Sequence, residues 1–113
     1  MDIDMRKFGN VQVLRLRGPL MLGTPVDDLQ QTLWQAIGTG QTNLVLNISD
    51  VDRIDSSGIG LLVKALTLAK EGGGSLKLVN PATMVLRTLK MCALLPLFDV
   101  HEKEETAVQS YGS

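Results

Sequence analysis

The chain has 113 residues, with 11 Lys and Arg against 12 Asp and Glu, a net charge of −1, 44% hydrophobic and 20% charged residues. That length suits a single domain over residues 1–113, and the balance excludes the low hydrophobicity and high net charge of a disordered segment. Basic residues scattered singly from Arg6 to Lys103 make no stripe able to neutralise successive phosphates, and no apolar run reaches the ~18 residues of a membrane span, so neither nucleic acid nor direct membrane insertion is expected.

The opening "MDIDMRKFGN" lacks a basic segment leading into an apolar one, and a cytoplasmic protein is expected. Cys92 and His101 each stand alone, which argues against a disulfide framework and against a metal site.

"IDMRKF" and "VQVLRLR" are extended runs separated by Gly9 and Asn10, a pair suited to a tight hairpin turn. In the second run Gln12, Leu14 and Leu16 share one face, while Val11, Val13, Arg15 and Arg17 share the other, which is expected to be partly wet. "TPVDDLQQTLWQAIGTG" reads as a helix. Thr24 is its expected N-cap, Pro25 its first residue, Asp27 and Asp28 lie in the first turn, and Gly38 lies beyond its end. Its buried stripe is Val26, Leu29, Leu33 and Ile37.

"NLVLNI" and "SLKLVN" alternate as strands, with an apolar helix between them over about Gly58 to Glu71, closed by Gly72 to Gly74. Strand, helix, strand in that order implies a right-handed parallel crossover. A third helix is expected after Asn80, its cap, and Pro81, with Val85, Leu86 and Leu89 inward; "LFDV" follows as a last strand and "EKEETAVQS" as a terminal helix. Strands buried on both faces read as continuous apolar runs, whereas these alternate. The expected fold is therefore α/β, a mixed four- to five-stranded sheet with helices mainly on one face.

The stretch "RIDSSGIG", Arg53 to Gly60, joins a strand to a helix with an acid, two hydroxyls and two glycines. A nucleophile elbow needs glycines two residues either side of the serine, and neither Ser56 nor Ser57 has them. A phosphate-cradling loop would end Gly-Lys-Ser/Thr, whereas Lys64 lies mid-helix, and lone His101 has no partner with which to complete a triad. No enzyme is expected. On spacing alone, Asp55 or a serine caps the helix and Gly58 and Gly60 allow close packing.

"VDRIDSSGIGLLVKALTLAKEGGGSLKLVNPA", with "NLVLNISD" before it and "LFDVHEKEETAV" after it, resembles the STAS family, the sulfate-transporter and anti-sigma-factor-antagonist domain. The resemblance implies that Ser56 is a phosphoacceptor, with Asp55, Ser57, Gly58 and Gly60 supporting the loop. It implies a partner-switching protein that holds an anti-sigma factor with serine-kinase activity when unphosphorylated, and so releases a sigma factor. The kinase would supply ATP, a serine phosphatase would reset the switch, and the protein itself would need no cofactor. A monomer or weak dimer is expected. The alternative within the family is an unphosphorylated adaptor subunit of a lipid-transport ATPase or another signalling complex.

Two departures stand out. Many antagonists of the family have Gly-Glu-Leu-Asp where this chain has "GPLM", Gly18 to Met21, and Leu-Asp-Leu where it has "LNI", Leu46 to Ile48. Acids are thus replaced at Met21 and Asn47. At 100° per residue, the helix after the serines carries one apolar stripe of Ile59, Leu62, Val63, Leu66 and Ala69 and a second of Leu61, Ala65 and Leu68, near Lys64. The second stripe either packs sideways on a neighbouring helix or, with Lys64, docks a partner beside Ser56.

Overall fold

The structure is a computed structural model describing residues 1–112; Ser113, the last residue of the expected domain, lies outside them. Strands β1 (Asp2–Phe8), β2 (Val11–Arg17), β3 (Asn43–Asp50), β4 (Ser75–Val79) and β5 (Asp99–His101) lie side by side in that order. β1 pairs antiparallel with β2, and the remaining neighbours are parallel. Helices α1 (Thr24–Gly38), α2 (Ser56–Glu71), α3 (Thr83–Met91) and α4 (Glu104–Gln109) follow β2, β3, β4 and β5.

The β1–β2 turn is set by Gly9 at φ 62, a positive value that the two-residue hairpin requires and glycine adopts without strain. Alternation along the strands then sorts the core into two layers. Leu14, Leu16, Leu44, Leu46, Leu76 and Leu78 face α1, α2 and α3, whose Leu29, Leu33, Leu62, Leu66, Val85 and Leu89 close over them. Val11, Val13, Val45 and Val79 face the other way and are covered by Ala107 of α4, with Val108 and Tyr111 beside it. Burying such aliphatic side chains stabilises the fold by about 1.5–3 kcal/mol each.

That second layer leaves this face of β2 partly wet, as expected, with the dry part at its start. Val11 and Val13 are buried, because α4 lies across them, and only Arg15 and Arg17 reach solvent. Arg15 holds α4 in place: its Nε and Nη2 donate to the two carboxylate oxygens of Glu104, both at 2.8 Å. Tyr111 adds a further tie, donating to the Leu44 carbonyl at 2.7 Å.

Several boundaries differ from expectation. Gly23, at φ 111, is the N-cap of α1, and Thr24 is its first residue, so no side chain caps it. Gly38 lies inside α1, whose end is closed by Thr39, and Ala36 replaces half-buried Ile37 in the buried stripe. Asn80 does not cap α3. It turns the chain at φ 50 after β4, and Ala82 takes the cap position. Leu86 is half-buried, not core. The last strand begins at Asp99, because Leu95–Leu97 forms a 3₁₀ turn that puts Phe98 into the core.

Candidate functional site: the loop at the start of the second helix

The carboxyl ends of the parallel strands are where loops gather in such sheets. Here the loop after β2 is zipped to the loop after β3. Gly18 N–H donates to Asp50 O at 3.1 Å, Leu20 N–H to Arg53 O at 2.9 Å, and Asp55 N–H to Leu20 O at 3.4 Å. Leu20 and Ile54 form an isolated parallel bridge, and Leu20 and Val51 are buried beneath it.

Asp55 fastens this junction with both carboxylate oxygens. Oδ2 accepts from the Leu22 N–H and Oδ1 from the Gly58 N–H, each at 2.9 Å. The first bond holds the β2–α1 loop and the second caps α2, which therefore begins at Ser56, two residues earlier than expected. These N–H donors, Leu22 first and Gly58 next, hold the Asp55 carboxyl below the usual carboxylate range, so it is ionised at neutral pH.

Because Asp55 does the capping, Ser56 stands exposed at the first position of α2, while Ser57 is half-buried. The two glycines differ. Gly58 is buried, and a methyl group there would collide with the Leu20 carbonyl and lie 2.8 Å from Ile54 Cγ1. The loops approach only because position 58 is bare. Gly60 has nothing within 4 Å of its missing Cβ, so packing does not require glycine there, contrary to the close-packing expectation. Ser56, Gly60 and Lys64 follow one another at four-residue spacing on the exposed face of α2, and a helical side chain leans toward the helix N-terminus.

The remaining partner-contact candidates divide. Leu61 and Ala65 are buried at 6% and 0% exposure, since α1 and α2 lie against each other and both residues join Leu29 and Leu33 in the core. They are not a docking surface: the second stripe is lateral helix packing. Leu68 is half-buried, and Lys64 is exposed, its Nζ 5.9 Å from the centre of the Trp34 ring.

Sequence reasoning missed Leu22. It is 77% exposed, and its own N–H is held by Asp55, so an apolar side chain projects beside the α2 N-terminus. An exposed leucine pinned by its backbone is a signal visible only once the Asp55 bond is known.

Asn47 lies elsewhere than the serine loop in its role. Its Nδ2 donates to Glu104 Oε2 at 2.7 Å, and its Oδ1 accepts from the Ser49 N–H and Oγ at 3.1 and 2.8 Å. An amide both donates and accepts, whereas an aspartate there would set a second carboxylate against Glu104. Nothing in the structure explains Met21. His101 meets Asp99, Nε2 to Oδ2 at 2.9 Å, both within β5.

An exposed serine at a capped helix N-terminus thus stands on a five-stranded mixed sheet. The STAS domain model matches residues 2–107, and the chain belongs to that family. It is 34% identical over 67 residues to the anti-sigma-B factor antagonist of Bacillus subtilis (strain 168), covering 59% of this chain and 62% of that protein. It is 27% identical over 109 residues to the anti-sigma F factor antagonist of Paenibacillus polymyxa, covering 96% of this chain and 92% of that one. The chain thus spans somewhat under two thirds of the first relative and most of the second. Among solved structures, the anti-sigma factor antagonist SpoIIAA in its unphosphorylated form superposes with a TM-score of 0.83 at 24% identity, over 99% of this chain and 98% of that one. The phosphorylated form of the Bacillus protein gives 0.78 at 23%, over 97% and 99%. These two likenesses show the same fold.

Proposed function

We propose that this protein is an anti-sigma factor antagonist that works as a phosphorylation-gated binding switch, with Ser56 as the phosphoacceptor. Unphosphorylated, it binds an anti-sigma factor with serine-kinase activity and so frees a sigma factor; the kinase uses ATP to phosphorylate Ser56, and a serine phosphatase restores it. The observation that carries this reading is the exposed Ser56 at the first position of α2, relieved of capping by Asp55. The names of the curated relatives support it, and so does the existence of a phosphorylated form of a protein with this fold.

The energetics fit a switch. A phosphoserine carries about −1.5 to −2 charges, and a helix N-terminus favours negative charge by roughly 0.3–1 kcal/mol at an exposed site. The folded monomer therefore tolerates the group. At a protein interface the same dianion loses its water, and a penalty of about 3–4 kcal/mol weakens binding a few hundredfold. The contact surface in this reading is the junction itself, with Leu22 beside the start of α2 and Lys64 two turns along its exposed face.

The test is incubation of the purified protein with ATP and extract of the native cell, followed by mapping of phosphate by mass spectrometry. Phosphate on Ser56, absent from Ser56→Ala, is the expected result. Phosphate elsewhere, or none while Ser56→Ala and Ser56→Asp hold the same partners, would leave the loop as a fixed contact of an adaptor subunit.

A further inference from the structure

We propose that β1 is a self-recognition edge, through which two copies of this chain pair antiparallel about a two-fold axis at Met5 to form one continuous sheet. β1 is an outer strand of the sheet, and only Ile3 along it is even half-buried. Its register on β2 runs from Asp2 opposite Arg17 to Phe8 opposite Val11. In a two-residue hairpin the pair that closes the turn exchanges both backbone bonds, and bonded and non-bonded pairs alternate from there. The even-numbered residues of β1 thus turn their N–H and C=O groups to β2, and Ile3, Met5 and Lys7 turn theirs outward.

An antiparallel second copy must meet those outward groups with its own, so odd residues pair with odd. Centred on Met5, the pairing joins Met5 to Met5 and Ile3 to Lys7, and uses the whole strand. Between these pairs Asp4 of one copy faces Arg6 of the other, twice by symmetry, at the closer non-bonded spacing of about 4.5 Å between Cα atoms. Of the neighbouring allowed registers, the one centred on residue 6 sets Arg6 against Arg6, and the one centred on residue 4 sets Asp4 against Asp4 between two Asp2–Arg6 pairs. Charged edge strands usually deter pairing. Here opposite charges two residues apart on one face, 58% and 51% exposed, favour the Met5 register, the one of the three that opposes no like charges. Met5, 49% exposed, would gain cover from its own copy.

The experiment is sedimentation equilibrium of the full chain from about 1 µM to about 1 mM, a range that brackets weak association. The mass should rise with concentration from 12.3 kDa toward twice that value. Arg6→Asp and Asp4→Arg should each weaken association about tenfold or more, since each turns two attractive pairs into repulsive ones. An equimolar mixture of the two should associate again, because their edges are complementary. Met5→Pro, which deletes an outward N–H that β2 does not use, should give a monomer with unchanged circular dichroism. A wild type that stays at 12.3 kDa throughout, or a dimer indifferent to Arg6→Asp and Met5→Pro, would overturn the proposal.

Discussion

Replacing Gly58 by alanine probes the junction that presents Ser56. Alanine is the better helix former, and in an open helical position the change stabilises by about 0.8–1 kcal/mol. At Gly58 the added methyl meets the Leu20 carbonyl, with Ile54 Cγ1 at 2.8 Å and Leu20 Cγ at 3.0 Å. Leu20 is fully buried, and its backbone both donates to Arg53 O and accepts from Asp55 N–H, so it cannot yield without breaking the zipper. Overpacking of this kind costs about 1–3 kcal/mol, and a backbone obstacle puts it at the upper end. After the propensity gain is subtracted, the expected net loss is about 2 kcal/mol, or about 10 °C in Tm for a domain of this size. Gly60→Ala has open space and carries only the gain, so its Tm should rise by about 4 °C. Urea and thermal unfolding of the two variants against wild type measure both. A Gly58→Ala protein as stable as Gly60→Ala would refute the close approach of the two loops.

Asp55→Ala should lower Tm by about 4–8 °C through loss of the α2 cap, and should loosen the Leu22 loop, seen as faster amide exchange at Leu22 and Gly58. Asn47→Asp should cost about 1–2 kcal/mol at pH 7 by opposing Glu104, with the deficit shrinking in acid as one of the two carboxylates protonates; urea unfolding at both pH values reads it. In the wild type, Glu104 is held below the usual carboxylate range, first by the Arg15 hydrogen bonds and then by Asn47. Its contribution to stability is therefore complete above about pH 4–5 and is lost as pH falls through its depressed native value, and Glu104→Gln should flatten that part of the urea-unfolding profile. Leu22→Asp should leave Tm within about 2 °C, since Leu22 is 77% exposed, yet reduce partner capture about tenfold or more.

The order of elements and the parallel sheet were legible because alternation in Leu44, Leu46 and Leu76, Leu78 and the helical stripes around Leu29 and Leu62 carry strong periodic signals. The partly wet face of β2 was legible from Arg15 and Arg17, but what covers its valines is nonlocal: α4, some ninety residues further along, lies over Val11 and Val13. Thr24 and Asn80 are cap-type residues, but Gly23 at φ 111 takes the cap of α1 and Ala82 that of α3, with Asn80 spent on the turn after β4. The serine motif was legible as a turn before a helix. Asp55 as its cap was one of the stated choices, whereas the burial of Leu61 and Ala65 depended on how close α1 lies. The contrast between Gly58 and Gly60 needed the position of Leu20, which no local pattern encodes.

In the proposed switch, the charge on Ser56 gates partner binding. Copurification from the native cell with Ser56→Ala and Ser56→Asp baits, compared by mass spectrometry, tests it most directly. The expected result is a kinase-like anti-sigma factor on the alanine bait, depleted about a hundredfold or more on the aspartate bait, in keeping with an interfacial penalty of several kcal/mol. Equal recovery of the same partners on both baits would contradict it.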